Sequence, residues 1–130
     1  MSQIHVGEVV LAEYNSGEYI GKAIEDRGNL MLIEVLAVVT HPTQGDLHNP
    51  GQADGVAFHE RKALSFKEKA NVRKRKLTPF TNEVPDYTES LKDAYNTLKK
   101  TLEKENTHYS ERALQKLEHL KEHFYNSIWA

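Results

Sequence analysis

His41, Asp46, His48 and His59 stand within nineteen residues of one another, and all four are metal-ligand types. Three such donors around an open coordination position are what hydrolytic zinc sites use to activate water. Their spacing follows no established metal motif, however, and loop histidines commonly donate to backbone carbonyls, so structural hydrogen bonding competes with ligation. The sequence shows no nucleophile paired with a base and no phosphate-binding glycine loop. No catalytic residue, metal, cofactor or small-molecule substrate is therefore expected.

The histidines draw attention to the segment that carries three of the four ligands, His-Pro-Thr-Gln-Gly-Asp-Leu-His-Asn-Pro-Gly-Gln-Ala-Asp-Gly from His41 to Gly55. It interrupts two β-patterned runs and is too polar to belong to either. Loops of this length inside small domains usually bind something, so function is sought here first.

The flanking runs set the frame. Val6 to Tyr14 reads as a half-buried strand, Asn15-Ser16-Gly17 as a tight reversal, and Glu18 to Glu25 as the returning strand. Gly21 within that strand allows a bend or a close backbone approach. After a second turn at Asp26-Arg27-Gly28-Asn29, the apolar run Leu30 to Thr40 is long enough to bend and serve two sides of a barrel. Val56 to His59 resumes the β pattern, and Glu60 to Lys76 supplies one more strand or ribbon. Four or five short antiparallel strands predict a small SH3-like barrel, because closure removes exposed edges from so small a sheet.

Thr78-Pro79-Phe80 and Val84-Pro85 then read as a linker. Beyond it, Asp86 and Glu89 form a capping-box pattern before Tyr87, Leu91, Ala94, Tyr95, Leu98 and Leu102 at helical spacing. After a polar connection, Ser110 is suited to cap a second helix along Ala113, Leu114, Leu117, Leu120, Phe124 and Ile128. The expected architecture is mainly β plus α: residues 1–80 form the barrel with the long 41–55 loop, and residues 81–130 form a linker and an antiparallel helical hairpin. Tyr109, Phe124, Tyr125, Ile128 and Trp129 would dock the hairpin on the barrel or, as the sharper reading, anchor a partner, with Trp129 the candidate contact. Tyr14, Tyr19, Phe58 and Phe66 fill the core or line a shallow aromatic groove.

Composition bounds the rest. The 130 residues contain no cysteine, which removes disulfides, thiolate metal sites and thiol catalysis. No apolar run approaches the roughly 20 residues of a membrane span and the N-terminus lacks a leader pattern, so a cytoplasmic protein without direct membrane insertion is expected. The net charge of −2 hides a segregation: residues 1–60 hold nine acids against two bases, and residues 61–80 hold eight bases against one acid. Mixed charge usually forms a solvated face. The alternative is an SH3-like nucleic-acid-binding module using the basic 67–76 segment through Lys69, Arg73, Lys74, Arg75 and Lys76, though interleaved aromatics for base stacking are missing.

Gly7-Glu8-x-Val10 with Tyr19-Ile20-Gly21, Val35-Leu36-Ala37-Val38 leading into His41-Pro42-x-Gln44-Gly45-Asp46-Leu47-His48-x-Pro50, Phe58-His59-Glu60-Arg61-Lys62-Ala63-Leu64, and Pro79-Phe80 to Pro85-Asp86-Tyr87 together resemble the kinase-associated protein B family. The similarity covers essentially the whole chain, and the His41–His48 loop is its most specific part. The resemblance implies an SH3-like barrel followed by helices and a non-enzymatic accessory role for a membrane-bound sensor histidine kinase. That kinase would feed the phosphorelay that initiates sporulation. Family members are sometimes described as lipoproteins; without cysteine, the usual lipid attachment is excluded, and any membrane association is expected through the kinase. On this reading His41, Gln44, Asp46 and His48 of the loop, with Trp129 of the hairpin, are the candidate partner contacts.

Overall fold

The structure is a computed structural model describing residues 4–46 and 48–129. Five antiparallel strands, β1 (Val9–Tyr14), β2 (Gly17–Arg27), β3 (Leu30–Thr40), β4 (Lys69–Arg73) and β5 (Leu77–Pro79), lie in the order β4-β3-β2-β1-β5. The two strands at opposite ends of this order are joined only by a single 3-10 turn, Lys74–Lys76. So short a link cannot cross a flat sheet, so the sheet curls and brings the two end strands together at this turn, which gives the SH3-like barrel with β4 and β5 left unpaired to each other.

Curling is made possible by the two long strands. β2 and β3 pair along their length with register shifts between Glu18 and Tyr19, Ile20 and Gly21, and Ala23 and Glu25. Bulges of this kind bend a strand and increase its twist. Gly21 sits at one shift, where a Cβ would collide with the Ile33 side chain and stand 2.8 Å from the Glu34 carbonyl oxygen. The close approach inferred from the sequence is thus an approach to β3 itself. At the β1–β2 turn, Asn15 and Ser16 carry the positive φ values of 46° and 68°, while Gly17 already pairs with Tyr14.

Two β expectations need correction. Residues 56–66 form no strand; they lie outside the sheet. Of the expected ribbon from Glu60 to Lys76 only Lys69–Arg73 is strand, because the sheet offers pairing only beside β3. Thr78 and Pro79, expected in the linker, instead join Leu77 in β5 and pair with Val10 and Leu11, as Leu77 does with Ala12. Pro79 is tolerated there because β5 is an edge, where a missing N–H breaks no ladder.

The helical part begins where expected. Asp86 caps α1 (Tyr87–Glu105) by accepting from the Glu89 N–H at 3.2 Å. α1 ends at Asn106 in the left-handed conformation. The cap of α2 (His108–Leu120) is Thr107 rather than Ser110; Ser110 closes the box by accepting from the Thr107 N–H at 2.7 Å. A π turn, Lys121–Tyr125, follows α2 and leads into α3 (Asn126–Trp129). One residue is thereby added to the turn, with the Asn126 N–H reaching back to the Lys121 carbonyl. The buried face shifts by one position: Tyr125 is 1% exposed, whereas Phe124 and Ile128, expected inside from unbroken helical periodicity, are 39% and 38% exposed.

Two cores result. Inside the barrel, Val10, Ala12, Ala23, Met31, Ile33, Ala70, Val72 and Leu77 pack together with Ile4. Outside it, Tyr19, Val35, Val38 and Ala63 join Leu91, Tyr95, Leu102, Leu117, Leu120 and Tyr125 of the helices. A helical hairpin alone buries too little to persist in water, and β3 supplies the missing face. The Ser90 hydroxyl, accepting from the Val38 N–H at 3.0 Å, satisfies a backbone donor where α1 crosses β3. Gly21→Ala is expected to destabilise the protein by about 1–3 kcal/mol, because the clash is with packed β3 rather than with a flexible side-chain end. Urea unfolding measures this; an unchanged midpoint would show that β2 and β3 can separate freely there.

Candidate functional site

The 41–68 segment links β3 to β4 and is a strap held on the helices. From residue 53 onward it follows α2 from start to end. Arg112 donates to the Ala53 carbonyl, His108 Nδ1 lies 3.1 Å from Asp54, and the Phe58 ring packs on Tyr109. His119 Nδ1 is 2.6 Å from Glu60, and Lys62 Nζ sits 4.8 Å from the centre of the Phe124 ring. The β-like pattern at 56–59 reflects one side of this strap packing on a helix.

At the far end the strap is clasped by buried hydroxyls. The Ala63 N–H donates to the Tyr125 hydroxyl at 3.0 Å, and that hydroxyl lies 2.8 Å from His41 Nε2. His41 Nδ1 is 3.0 Å from the Pro42 carbonyl, which can only accept. Nδ1 therefore carries the proton, and Nε2 accepts from Tyr125. One residue on, the Leu64 N–H donates to the Tyr19 hydroxyl at 3.3 Å, and the Tyr87 hydroxyl donates to the Leu64 carbonyl at 2.5 Å. Sheet, strap, α1 and the π turn are thus tied by two adjoining hydrogen-bonded sets, and among the described residues no buried side-chain nitrogen or oxygen lacks a partner. Burial pushes the Tyr19 hydroxyl up to about 12 and raises those of Tyr87 and Tyr125 further, so all three stay protonated.

The loop candidates separate into two groups. His41 and Gln44 are each 2% exposed. Gln44 forms a two-sided clamp: its Oε1 accepts from the Arg61 N–H at 2.8 Å, and its Nε2 donates to the Arg61 and Pro42 carbonyls. Tyr109 donates to the Gln44 carbonyl at 2.8 Å, and Gly45 turns the chain at φ +104°. The side chains of His41 and Gln44 present nothing to a partner; they hold the strap's first turn in place. Asp46 and His48 remain at the surface. The Asp46 carboxylate accepts from the Asn49 amide at 3.0 Å and the His48 N–H at 2.9 Å, and these bonds, the Asn49 contact first, hold it below the usual carboxylate range. Among the described residues no group of three or more His, Asp or Glu converges on a point where a metal would sit.

Trp129 is half-buried, meeting Tyr95 edge-on and Tyr125 at a tilt with centroids at 5.4 and 5.2 Å, and closes the aromatic cluster around His41. The four aromatics considered for a groove do not share one. Tyr19 is buried, Phe58 lies on Tyr109, and exposed Phe66 lies on Tyr87. In the basic segment, Lys74 pairs with Asp26 at 2.7 Å and Lys76 with Glu13 at 3.4 Å, while Lys69, Arg73 and Arg75 are exposed. The residues that sequence reasoning missed are Tyr87, Arg61 and Arg112, together with the hydroxyl roles of Tyr109 and Tyr125. Only the clustering of aromatics near the hairpin ends signalled them.

Fold and site together define an SH3-like barrel protein whose elaborated loop is clasped onto a C-terminal helical hairpin. The chain belongs to the family described as kinase associated protein B, whose profile matches residues 14–125. It is 41% identical over 126 residues to the kinase-associated lipoprotein B of Bacillus subtilis (strain 168), covering 97% of this chain and 98% of that protein. A crystal structure of kinase-associated protein B from Bacillus cereus superposes with a TM-score of 0.78 at 32% identity, over 92% of this chain and 96% of that one. The Bacillus subtilis relative is named a lipoprotein, yet the 130 residues here include no cysteine to carry a lipid. Among the described residues no helix is long and apolar enough to cross a membrane.

Burial also lowers the His41 imidazole from 6.5 to about 4, against a smaller opposing effect of the Pro42 carbonyl. Above pH 6.5 folded and unfolded chains both hold it neutral. Between 6.5 and about 4 the unfolded chain takes up a proton that the folded chain refuses. Stability is therefore expected to fall through that window by up to about 3 kcal/mol and to level off for this group below it. Denaturant unfolding across the pH range measures the slope. The same slope in His41→Gln would remove His41 as its source.

Proposed function

We propose that this chain is a non-enzymatic accessory protein that docks on a sensor histidine kinase and assists the entry of its signal into the phosphorelay that initiates sporulation. The observation that carries the reading is the near full-length likeness to proteins named for kinase association, which leaves no large part of either chain unmatched. The geometry supports it. A rigid strap holds the Asp46–Asn49 turn at the surface, and a docking surface gains affinity when its loops are already ordered. The half-buried Trp129 with exposed Ile128 offers an aromatic and aliphatic edge on the hairpin. On this reading the protein works in the cytoplasm, and the membrane-bound kinase brings it to the inner face of the cell membrane.

Within the loop, His48 and Asp46 are the contact residues, while His41 and Gln44 keep that turn in register. Calorimetric titration of the protein into the cytoplasmic part of the sensor kinase is expected to show saturable binding. Asp46→Ala with His48→Ala is expected to weaken it about tenfold, the loss of about 1.4 kcal/mol, with unfolding temperature little changed. Unaltered affinity in that variant would move the contact to the hairpin. Absence of binding by the unsubstituted protein would overturn the accessory role at this kinase.

A further inference from the structure

The chain has five arginines, and three are committed internally: Arg27 to Glu25 and Asn71, Arg61 to the Thr43 and Gly45 carbonyls, and Arg112 to the Ala53 carbonyl. Arg73 and Arg75 are exposed, and neither side chain has a hydrogen-bond or ion-pair partner among the described residues. Both line one cavity of about 470 Å³, together with Asn29, Leu30 and Lys74.

The frame around them is fixed. The Lys74 N–H donates to the Asn29 carbonyl at 3.0 Å, and Lys74 Nζ binds Asp26, whose carboxylate also accepts from the Gly28 N–H at 3.1 Å. The 3-10 turn is therefore pinned to the β2–β3 turn on both its main chain and its side chain. A guanidinium is a planar fork of donors that matches carboxylate geometry, and it loses little entropy when its support is already ordered. Two such forks flank a lysine whose charge Asp26 already neutralises.

We infer that this corner, with Arg73 and Arg75 as its anchors, docks an acidic segment of a protein partner through its carboxylates. The inference rests on the reading that the chain acts by docking a protein. A nucleic acid fits less well, because none of the residues lining the cavity is aromatic, so bases find nothing to stack on. Half-buried Leu30 supplies an apolar surface for the methylene stems of acidic side chains.

The test follows the Nε–H signals of Arg73 and Arg75 in the isotope-labelled full chain as a short polyglutamate peptide is added. Saturable shifts at these two signals are expected, weakening about tenfold from low to physiological salt, since exposed charges are screened. The accompanying shifts of the Asn29, Leu30 and Lys74 backbone N–H signals, which survive the substitution, should vanish in Arg73→Gln/Arg75→Gln and persist in Lys92→Gln/Lys100→Gln, which removes the same charge from exposed sites on α1. Absence of shifts, or equal weakening in both variants, would overturn the inference. Tighter binding of a single-stranded oligonucleotide than of the peptide would do so in favour of nucleic acid. Against the cytoplasmic part of the kinase, unchanged binding by the arginine variant sinks this site and leaves the accessory role standing. Failure of the unsubstituted protein to bind that kinase sinks the accessory role, and the peptide titration still decides the site.

Discussion

The Tyr125 hydroxyl is the point on which the rest of the structure depends. It accepts from Ala63 on the strap and donates to His41 at the end of β3, so one side chain from the last helical turns ties three parts of the chain together. Each of these groups is buried, and a buried donor or acceptor without a partner costs about 1–3 kcal/mol. The clasp is thus cooperative: loosening the C-terminal helix would leave the Ala63 N–H and the His41 ring unsatisfied at once. That constraint explains why the helix accepts a π turn. An unbroken α-helix would bring Phe124 to the place Tyr125 holds beside His41 and Ala63, and phenylalanine has no hydroxyl to offer.

Through the clasp, the polar 41–68 segment behaves differently from what its composition suggests. Glycine, proline and asparagine usually mark a mobile connection, yet here the Gln44–Arg61 clamp, the Tyr109 hydroxyl and the contacts along α2 fix its first turn and its course over the helix. Exposed groups remain at His48 and along residues 50–52, 54–55, 57, 59 and 62. A loop ordered in this way gives up adaptability and gains a defined shape. The basic corner at the 3-10 turn is a separate rigid feature of the barrel.

Much of this was legible in the residues. β1 to β3, the turn at Asn15, the close approach at Gly21 and the Asp86 cap follow from local chemistry that tertiary packing reinforces. The errors have physical causes. Residues 56–66 alternate like a strand because one side covers α2, and alternation records burial on one face rather than sheet pairing. β5 was hidden by Pro79, which an edge strand tolerates. Beyond Leu120 the second helix falls out of phase because periodicity carries no notice of an inserted residue, so Phe124 and Ile128 take the place of Tyr125, whereas Ala113, Leu117 and Leu120 are buried as expected. The burial of His41 was not legible, because residue type cannot distinguish a histidine that faces outward from one that accepts a tyrosine proton inside.

Whether the strap belongs to one cooperative unit with barrel and hairpin is tested most directly by native-state hydrogen exchange of its amides. The account predicts that the N–H groups of Gly45, Arg61 and Ala63, bonded to His59, Gln44 and Tyr125, exchange with opening free energies close to those of β3 and α2. Exchange of these three amides at the rate of exposed loop, while β3 and α2 stay protected, would contradict it.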